Sequence, residues 1–147
     1  MAQTTQVMRP PMEPSEESNS EQLAMARAQG EEFGRAVREM TQREAHGDEK
    51  AAGDYLVGYA IEKAEGLYQQ KTIGKELRWM EPREENAHIE IVVRDGSDGR
   101  FIPGLSVTVT VIDGTGKEVG TRKQPFLWHP WLYHYGQNWE VPEAGEY

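Results

Sequence analysis

A period-two alternation of apolar residues in the second half of the chain constrains the fold most. Ile89, Ile91 and Val93 are separated by single residues, and every second position from 105 to 111 is again Leu or Val. Successive side chains of a β-strand point to opposite faces, so this spacing is typical of strands with one face in a core. Turns rich in glycine and aspartate follow both segments. Short strands divided by such turns predict an all-β fold, an Ig-like β-sandwich.

The sequence predicts three parts in this chain. Residues 1–20 are rich in Pro, Ser and Glu and predict a disordered tail. Residues 21–54 predict an amphipathic helix, with Ser18 and Glu21 as its capping box, followed by a polar linker from residue 45 that contains a solvated His46. Residues 55–147 predict the β-sandwich domain.

The predicted helix carries a narrow apolar stripe. Phe33, Val37 and Met40 are spaced to share one face, whereas Gly30 and Gly34 weaken the helix prediction. A narrow stripe of this kind fits three roles: docking on the domain, pairing with another copy, or binding a partner.

The last residues resemble a known element of Ig-like sandwiches. Residues 143–147 read Glu-Ala-Gly-Glu-Tyr, as in the turn that carries the tyrosine corner and opens a late strand. This pattern predicts a further strand after Tyr147, which would make the sandwich domain truncated at its C-terminus.

Composition excludes several classes of function. The formal net charge is −9, which argues against nucleic acid and anionic membrane surfaces as partners. The chain has no cysteine, so disulfides, thiolate metal sites and cysteine nucleophiles are excluded. No signal peptide and no apolar run of about 20 residues is visible, so the sequence as written predicts a cytoplasmic protein without direct membrane insertion.

Histidines and a carboxylate in two segments predict a metal site. His88 and Glu90 share one face of a strand, although a solvent-facing pair on an outer sheet face is the plainer interpretation. His129 and His134 lie in the aromatic stretch 126–139, where Pro125 and Pro130 predict a shaped loop. A plainer interpretation is that these aromatic residues cover the end of the sandwich.

Taken together, the two segments predict that the chain binds a divalent transition metal. The ligands would be His88, Glu90 and His134, with His129 as a fourth candidate, and the donors suit Fe2+ or Cu2+ and also Mn2+ or Zn2+. No residue pattern favours catalysis, so the chain is not predicted to be an enzyme. The alternative function is a metal-free Ig-like interaction module that presents the aromatic loop to a protein or a glycan.

These motifs resemble a known family. Ala87-His88-Ile89-Glu90 and His134-Tyr135-Gly136-x-Asn138, with Ala64-Glu65-Gly66-Leu67-Tyr68 upstream, are similar to segments of the bacterial periplasmic Fe2+-transport protein family. The resemblance covers about residues 55–147.

The resemblance implies an Ig-like sandwich that dimerises and binds iron, and readily copper, near the dimer interface. It also implies a periplasmic location and a membrane iron permease as partner. His88, Glu90 and His134 correspond to metal-site residues of the family. The family's methionine ligand would fall near Leu127, where His129 is the nearest replacement, and a further family histidine lies beyond Tyr147.

The sequence also predicts a homodimer with the aromatic loop at or near the contact. A sandwich of this size can bury only part of the aromatic area of the loop, and exposed aromatic patches commonly mark interfaces.

Overall fold

The protein consists mostly of β-strands in antiparallel sheets, with one α-helix, which confirms the prediction of an all-β, sandwich-like fold. The computed structural model describes residues 12–44, 46–70, 74–142 and 144–147. The elements are helix α1 (Ser20–Glu39), a π-helical turn (Met40–Glu44), and strands β1 (His46–Ala52), β2 (Tyr55–Lys63), β3 (Leu67–Gln69), β4 (Arg78–Met80), β5 (Ala87–Asp95), β6 (Val107–Ile112), β7 (Glu118–Gln124), β8 (Phe126–Leu127) and β9 (His134–Trp139).

The main sheet has five strands in the order β1-β2-β5-β9-β8, and all neighbouring pairs are antiparallel. The hairpins β3-β4 and β6-β7 form two smaller sheets. The strands predicted from the alternation at 87–93 and 105–111 are β5 and β6. Strand β5 is the central strand of the main sheet, and its pairing with β2 and β9 fixes the positions of these two neighbours.

The hairpin β6-β7 covers one face of the main sheet. Ile89 of β5, Val111 of β6 and Trp139 of β9 form a buried cluster, and Ile91, Val109 and Val119 pack against it. This contact between two sheets is the sandwich-like part of the fold. The isoleucine face of β5 is thus a core face, as the alternation predicts.

Helix α1 and the π-helical turn pack on the opposite face of the sheet. Val37, Met40, Ala60, Val92 and Leu132 form a second buried cluster there. Of the three roles left open for the helix, the structure shows docking on its own domain. Because this face is covered too, the interpretation of His88 and Glu90 as a solvent-facing pair is wrong.

Close packing of the helix depends on Gly30, one of the two glycines that weaken the helix prediction. A Cβ atom on Gly30 would lie only 1.6 Å from the backbone oxygen of Asp98, so no larger residue fits without moving the helix. The helix begins at Ser20, one residue before the predicted start, and its capping box joins Asn19 and Gln22 and does not involve Ser18.

Two predicted loop segments are strands. The predicted linker after residue 45 forms β1, whose exposed His46 pairs with Ile61 of β2. The segment is polar because β1 lies at a sheet edge, and its Glu49 binds the buried Arg94 through two hydrogen bonds of 2.6 and 2.9 Å. The predicted shaped loop at 126–139 contains β8 and β9, so only its middle part is irregular.

The predicted tail falls largely outside the described residues. Residues 1–11 are not described, and residues 12–19 form no helix or strand. Among the described residues, no helix is long and apolar enough to cross a membrane.

Candidate metal centre

The main sheet brings His88, Glu90 and His134 together. Strand β9 pairs with β5 so that Glu90 lies opposite Gly136, and His134 precedes that glycine by two residues on the same face. One ligand atom from each of the three side chains lies within 4.8 Å of the other two. All three residues are buried, with exposed fractions of 0% for both histidines and 6% for Glu90.

Asn138 fixes the tautomer of His88. Its side-chain nitrogen donates to the backbone oxygen of Glu65 at 2.7 Å, so its oxygen faces His88. This oxygen lies 2.9 Å from Nδ1 of His88, which must therefore carry the proton and donate it. In the neutral ring, Nε2 of His88 is therefore unprotonated and carries a lone pair.

The loop before β9 fixes the second imidazole in the same way. Nδ1 of His134 lies 2.7 Å from the backbone oxygen of Leu132, which can only accept a hydrogen bond. The proton of the neutral ring is therefore on Nδ1, and Nε2 of His134 is also a lone pair. A metal-binding histidine typically has its other ring nitrogen bound by such a partner.

The two lone pairs face each other beside a carboxylate. Nε2 of His88 lies 3.3 Å from Nε2 of His134, and an oxygen of Glu90 lies 3.9 Å and 3.3 Å from the two nitrogens. Two acceptors cannot hydrogen-bond each other, so this arrangement favours a cation that both nitrogens can bind. Two nitrogens at this separation can both lie about 2.1 Å from one metal ion.

Gly136 makes room for the two rings. A Cβ atom at this position would lie 2.7 Å from Cδ2 of His134, 2.9 Å from Nε2 of His134 and 3.1 Å from Nε2 of His88. The backbone of β9 therefore forms the floor of the cluster, and only glycine leaves the ligand atoms where they are.

Burial keeps both imidazoles neutral. The pKa of His134 is lowered to about 3, mainly by loss of solvent and also by the nearby His88 and His129, against the opposing effect of the Leu132 carbonyl. Burial likewise lowers the pKa of His88 below its usual value, although the Asn138 hydrogen bond opposes this. A neutral imidazole is the form that binds a metal, so the site favours a metal ion over a proton.

The lowered pKa predicts that the metal-free protein loses stability in acid. Between about pH 6.5 and about pH 3 the unfolded chain binds a proton at residue 134 that the folded chain excludes, so stability falls as pH decreases through this range. We expect His134 alone to cost about 2 kcal/mol of unfolding free energy between pH 7 and about pH 5. Urea unfolding of the metal-free protein at both pH values measures the change.

The matched variants are His134→Asn and His46→Asn, since His46 is exposed. The pH dependence should become shallower in the first variant and remain in the second. Equal pH dependence of wild type and His134→Asn would contradict the prediction.

His129, the fourth candidate, lies beside the cluster but outside the group of close ligand atoms. Its ring centroid is 5.6 Å from that of His134. The backbone N–H of Trp131 donates to its Nδ1 at 3.5 Å, which leaves the proton of the neutral ring on Nε2. The nearer ligand set is therefore His88, Glu90 and His134.

Two carboxylates that the sequence analysis did not select also adjoin the cluster. Ligand atoms of Glu62, Glu65, His88 and Glu90 all lie within 4.8 Å of one another, and Glu62 and Glu65 are partly exposed. Glu62 lies directly opposite His88 in the pairing of β2 with β5. The position of Glu62 within β2 indicates which face of that strand it lies on. The sequence does not show the register of β2 against β5 that places Glu62 beside His88.

Comparisons with protein-family models, with curated proteins and with solved structures find no match to this chain. The class of site is given by the geometry alone: it is a buried His-Glu-His group that could hold a divalent metal ion.

Proposed function

We propose that this protein binds a divalent transition metal through His88, His134 and Glu90 and takes part in iron handling or uptake. One observation carries the proposal: the two Nε2 lone pairs that face each other at 3.3 Å beside a buried carboxylate. The donors are held by Asn138 and by the Leu132 carbonyl before any ion binds, so little reorganisation opposes binding.

The donor types narrow the choice of metal. Two imidazoles and one carboxylate suit Fe2+, Cu2+ and Zn2+ better than Mg2+ or Ca2+, which prefer oxygen ligands alone. The assignment to iron is supported by the resemblance to the bacterial periplasmic Fe2+-transport protein family. The same resemblance supports an extracytoplasmic location and a membrane iron permease as partner.

Calorimetric titration with Cu2+ tests the metal-binding function. We expect saturable binding of Cu2+ to the buried His-Glu-His group and reversal of this binding by chelator. Binding should weaken as pH decreases, because protons compete for the two nitrogens. Absence of saturable heat for Cu2+, and also for Mn2+, at micromolar protein would contradict the function.

We also propose that the protein forms a homodimer through the aromatic residues around the loop after β8. Trp128 is 67% exposed and stacks on Tyr133 with ring centroids 5.7 Å apart, and Phe126 and Trp131 are each 44% exposed. Such a patch is unusual on a monomer. Light scattering at micromolar concentration should give twice 16.7 kDa, and a mass near 16.7 kDa at all concentrations would contradict the dimer.

The same aromatic patch favours the second candidate function, a metal-free module that binds a protein or a glycan. Trp131→Ala would then abolish partner binding, whereas chelator would have no effect on it. Metal-dependent binding of the partner would contradict this alternative.

A further inference from the structure

We infer that the segment 128–133, which connects β8 to β9, is a lid over the metal centre, and that metal ions enter and leave the site when this lid opens. The inference rests on the proposed function, since it concerns access to the same site. All three ligand residues are buried. An ion from solvent therefore reaches the two imidazoles only after a covering segment has moved.

The lid crosses the face of the main sheet that carries the ligands. It starts from β8 at one edge of the sheet, yet its Leu132 belongs to the buried cluster that contains Ala60 of β2 and Val92 of β5. Ala60 lies opposite Glu90 in the pairing of β2 with β5, and Val92 follows Glu90 by two residues on the same face. The lid thus extends over the ligand face from the β8 edge as far as β2.

Side chains provide most of the attachment of the lid. Among the residues that the structure describes, no backbone–backbone hydrogen bond joins segment 128–133 to the rest of the protein. The hydrogen bond from Trp131 N–H to Nδ1 of His129 is internal to the lid, and the Leu132 carbonyl accepts from Nδ1 of His134. Segments with few such bonds open locally at the lowest free-energy cost.

The opposite side of the site, beside Glu62 and Glu65, is held more firmly. Strand β2, which carries Glu62, pairs with β5 along its whole length. In the segment that follows, Ala64 N–H donates to the backbone oxygen of Asn86 at 3.3 Å. Asn138 donates to the backbone oxygen of Glu65 at 2.7 Å and accepts from its N–H at 3.4 Å. Opening on this side breaks backbone hydrogen bonds, whereas opening of the lid mainly separates side chains.

Tyr133 is the aromatic anchor of the lid. The centroid of its ring lies 5.3 Å from that of Phe33 in helix α1 and 5.0 Å from that of Phe101. Phe33 is outside the lid and outside the ligand group, so its substitution weakens the anchorage and leaves both unchanged in sequence. Because the contact of Phe33 with Tyr133 involves no ligand, it stabilises the closed lid equally with and without metal.

The test measures both rate constants for Cu2+ in Phe33→Ala. Loss of the ring favours the open lid, so association and dissociation should both accelerate by the same factor, roughly three- to tenfold for one aromatic pair. The dissociation constant is the ratio of the two rates and should stay within about twofold of wild type. Stopped-flow tryptophan fluorescence gives the association rate, and trapping of released Cu2+ by excess chelator gives the dissociation rate.

Val111→Ala is the matched control, because Val111 is buried in the cluster on the opposite face of the main sheet. Both rates should equal those of the wild type in this variant. Phe33→Leu removes the ring but keeps an apolar side chain on helix α1. It replaces Phe33→Ala in the test if circular dichroism shows that Phe33→Ala does not fold.

The pattern of rates separates a lid from a support of the bound ion. A faster dissociation alone, with a weaker affinity, would show that Phe33 supports the ligands, and this result would overturn the inference. Unchanged rates in the folded variant, or equal acceleration in Val111→Ala, would overturn it too. A wild type that binds no Cu2+ would remove the proposed function and the lid with it, whereas normal binding with any of these rate patterns removes the lid alone.

Discussion

Replacement of both His88 and His134 by alanine is expected to lower the affinity for Cu2+ by at least about 1,000-fold. Loss of a residue that merely supports a ligand typically costs 10–100-fold in metal affinity, so loss of two ligands should cost more. The Nε2 atoms of these residues are the only imidazole donors within the close group that the described residues form. Calorimetric titration with Cu2+ at neutral pH measures the change.

The control for this variant is His46→Ala, because His46 is exposed on the edge strand β1. It should bind Cu2+ like the wild type. Circular dichroism should confirm that the double variant is folded. If the folded double variant binds Cu2+ as tightly as wild type, His88 and His134 are not the metal ligands.

Gly136→Ala is expected to weaken metal binding strongly although it changes no ligand. The new Cβ would lie 2.7 Å from Cδ2 and 2.9 Å from Nε2 of His134, both of which would have to move. Such a movement stretches the hydrogen bond from Nδ1 of His134 to the Leu132 carbonyl. We expect a loss of about 100-fold in Cu2+ affinity and of about 2 kcal/mol in unfolding free energy.

Gly145→Ala is the matched control, since a Cβ atom there meets no atom within 4 Å. Calorimetry and urea unfolding of both variants separate a local effect from a general effect of alanine. Wild-type Cu2+ affinity in Gly136→Ala would show that the two rings do not need the space above this glycine.

Much of the β architecture could be predicted because apolar and polar residues alternate locally along its strands. Ile89 and Ile91 identify one core face of β5, and the turn residues mark where β5 and β6 end. The edge strand β1 was missed since it buries little apolar surface. Its stability comes from pairing with β2 and from the ion pair of Glu49 with Arg94, which no local pattern reveals.

The ligands of the candidate site could be predicted from residue type, but the surroundings of these ligands could not be predicted. His-x-Glu on a strand and a second histidine in an aromatic segment were sufficient to select His88, Glu90 and His134. The burial of the site could not be predicted, because the His-x-Glu alternation also fits a solvent-facing sheet face and the apolar stripe of helix α1 fits three roles. The roles of Asn138 and Gly136 follow only from the pairing of β9 with β5, which is a long-range register.

Anomalous X-ray diffraction from crystals grown with Zn2+ would test the central claim most directly. The claim is that one divalent ion binds between the lone pairs of His88 and His134 beside Glu90. The predicted result is an anomalous peak at about 2.1 Å from Nε2 of both histidines, with a carboxylate oxygen of Glu90 as a further ligand. A peak only at exposed residues such as His46, with Nε2 of His88 and His134 still in contact, would contradict it.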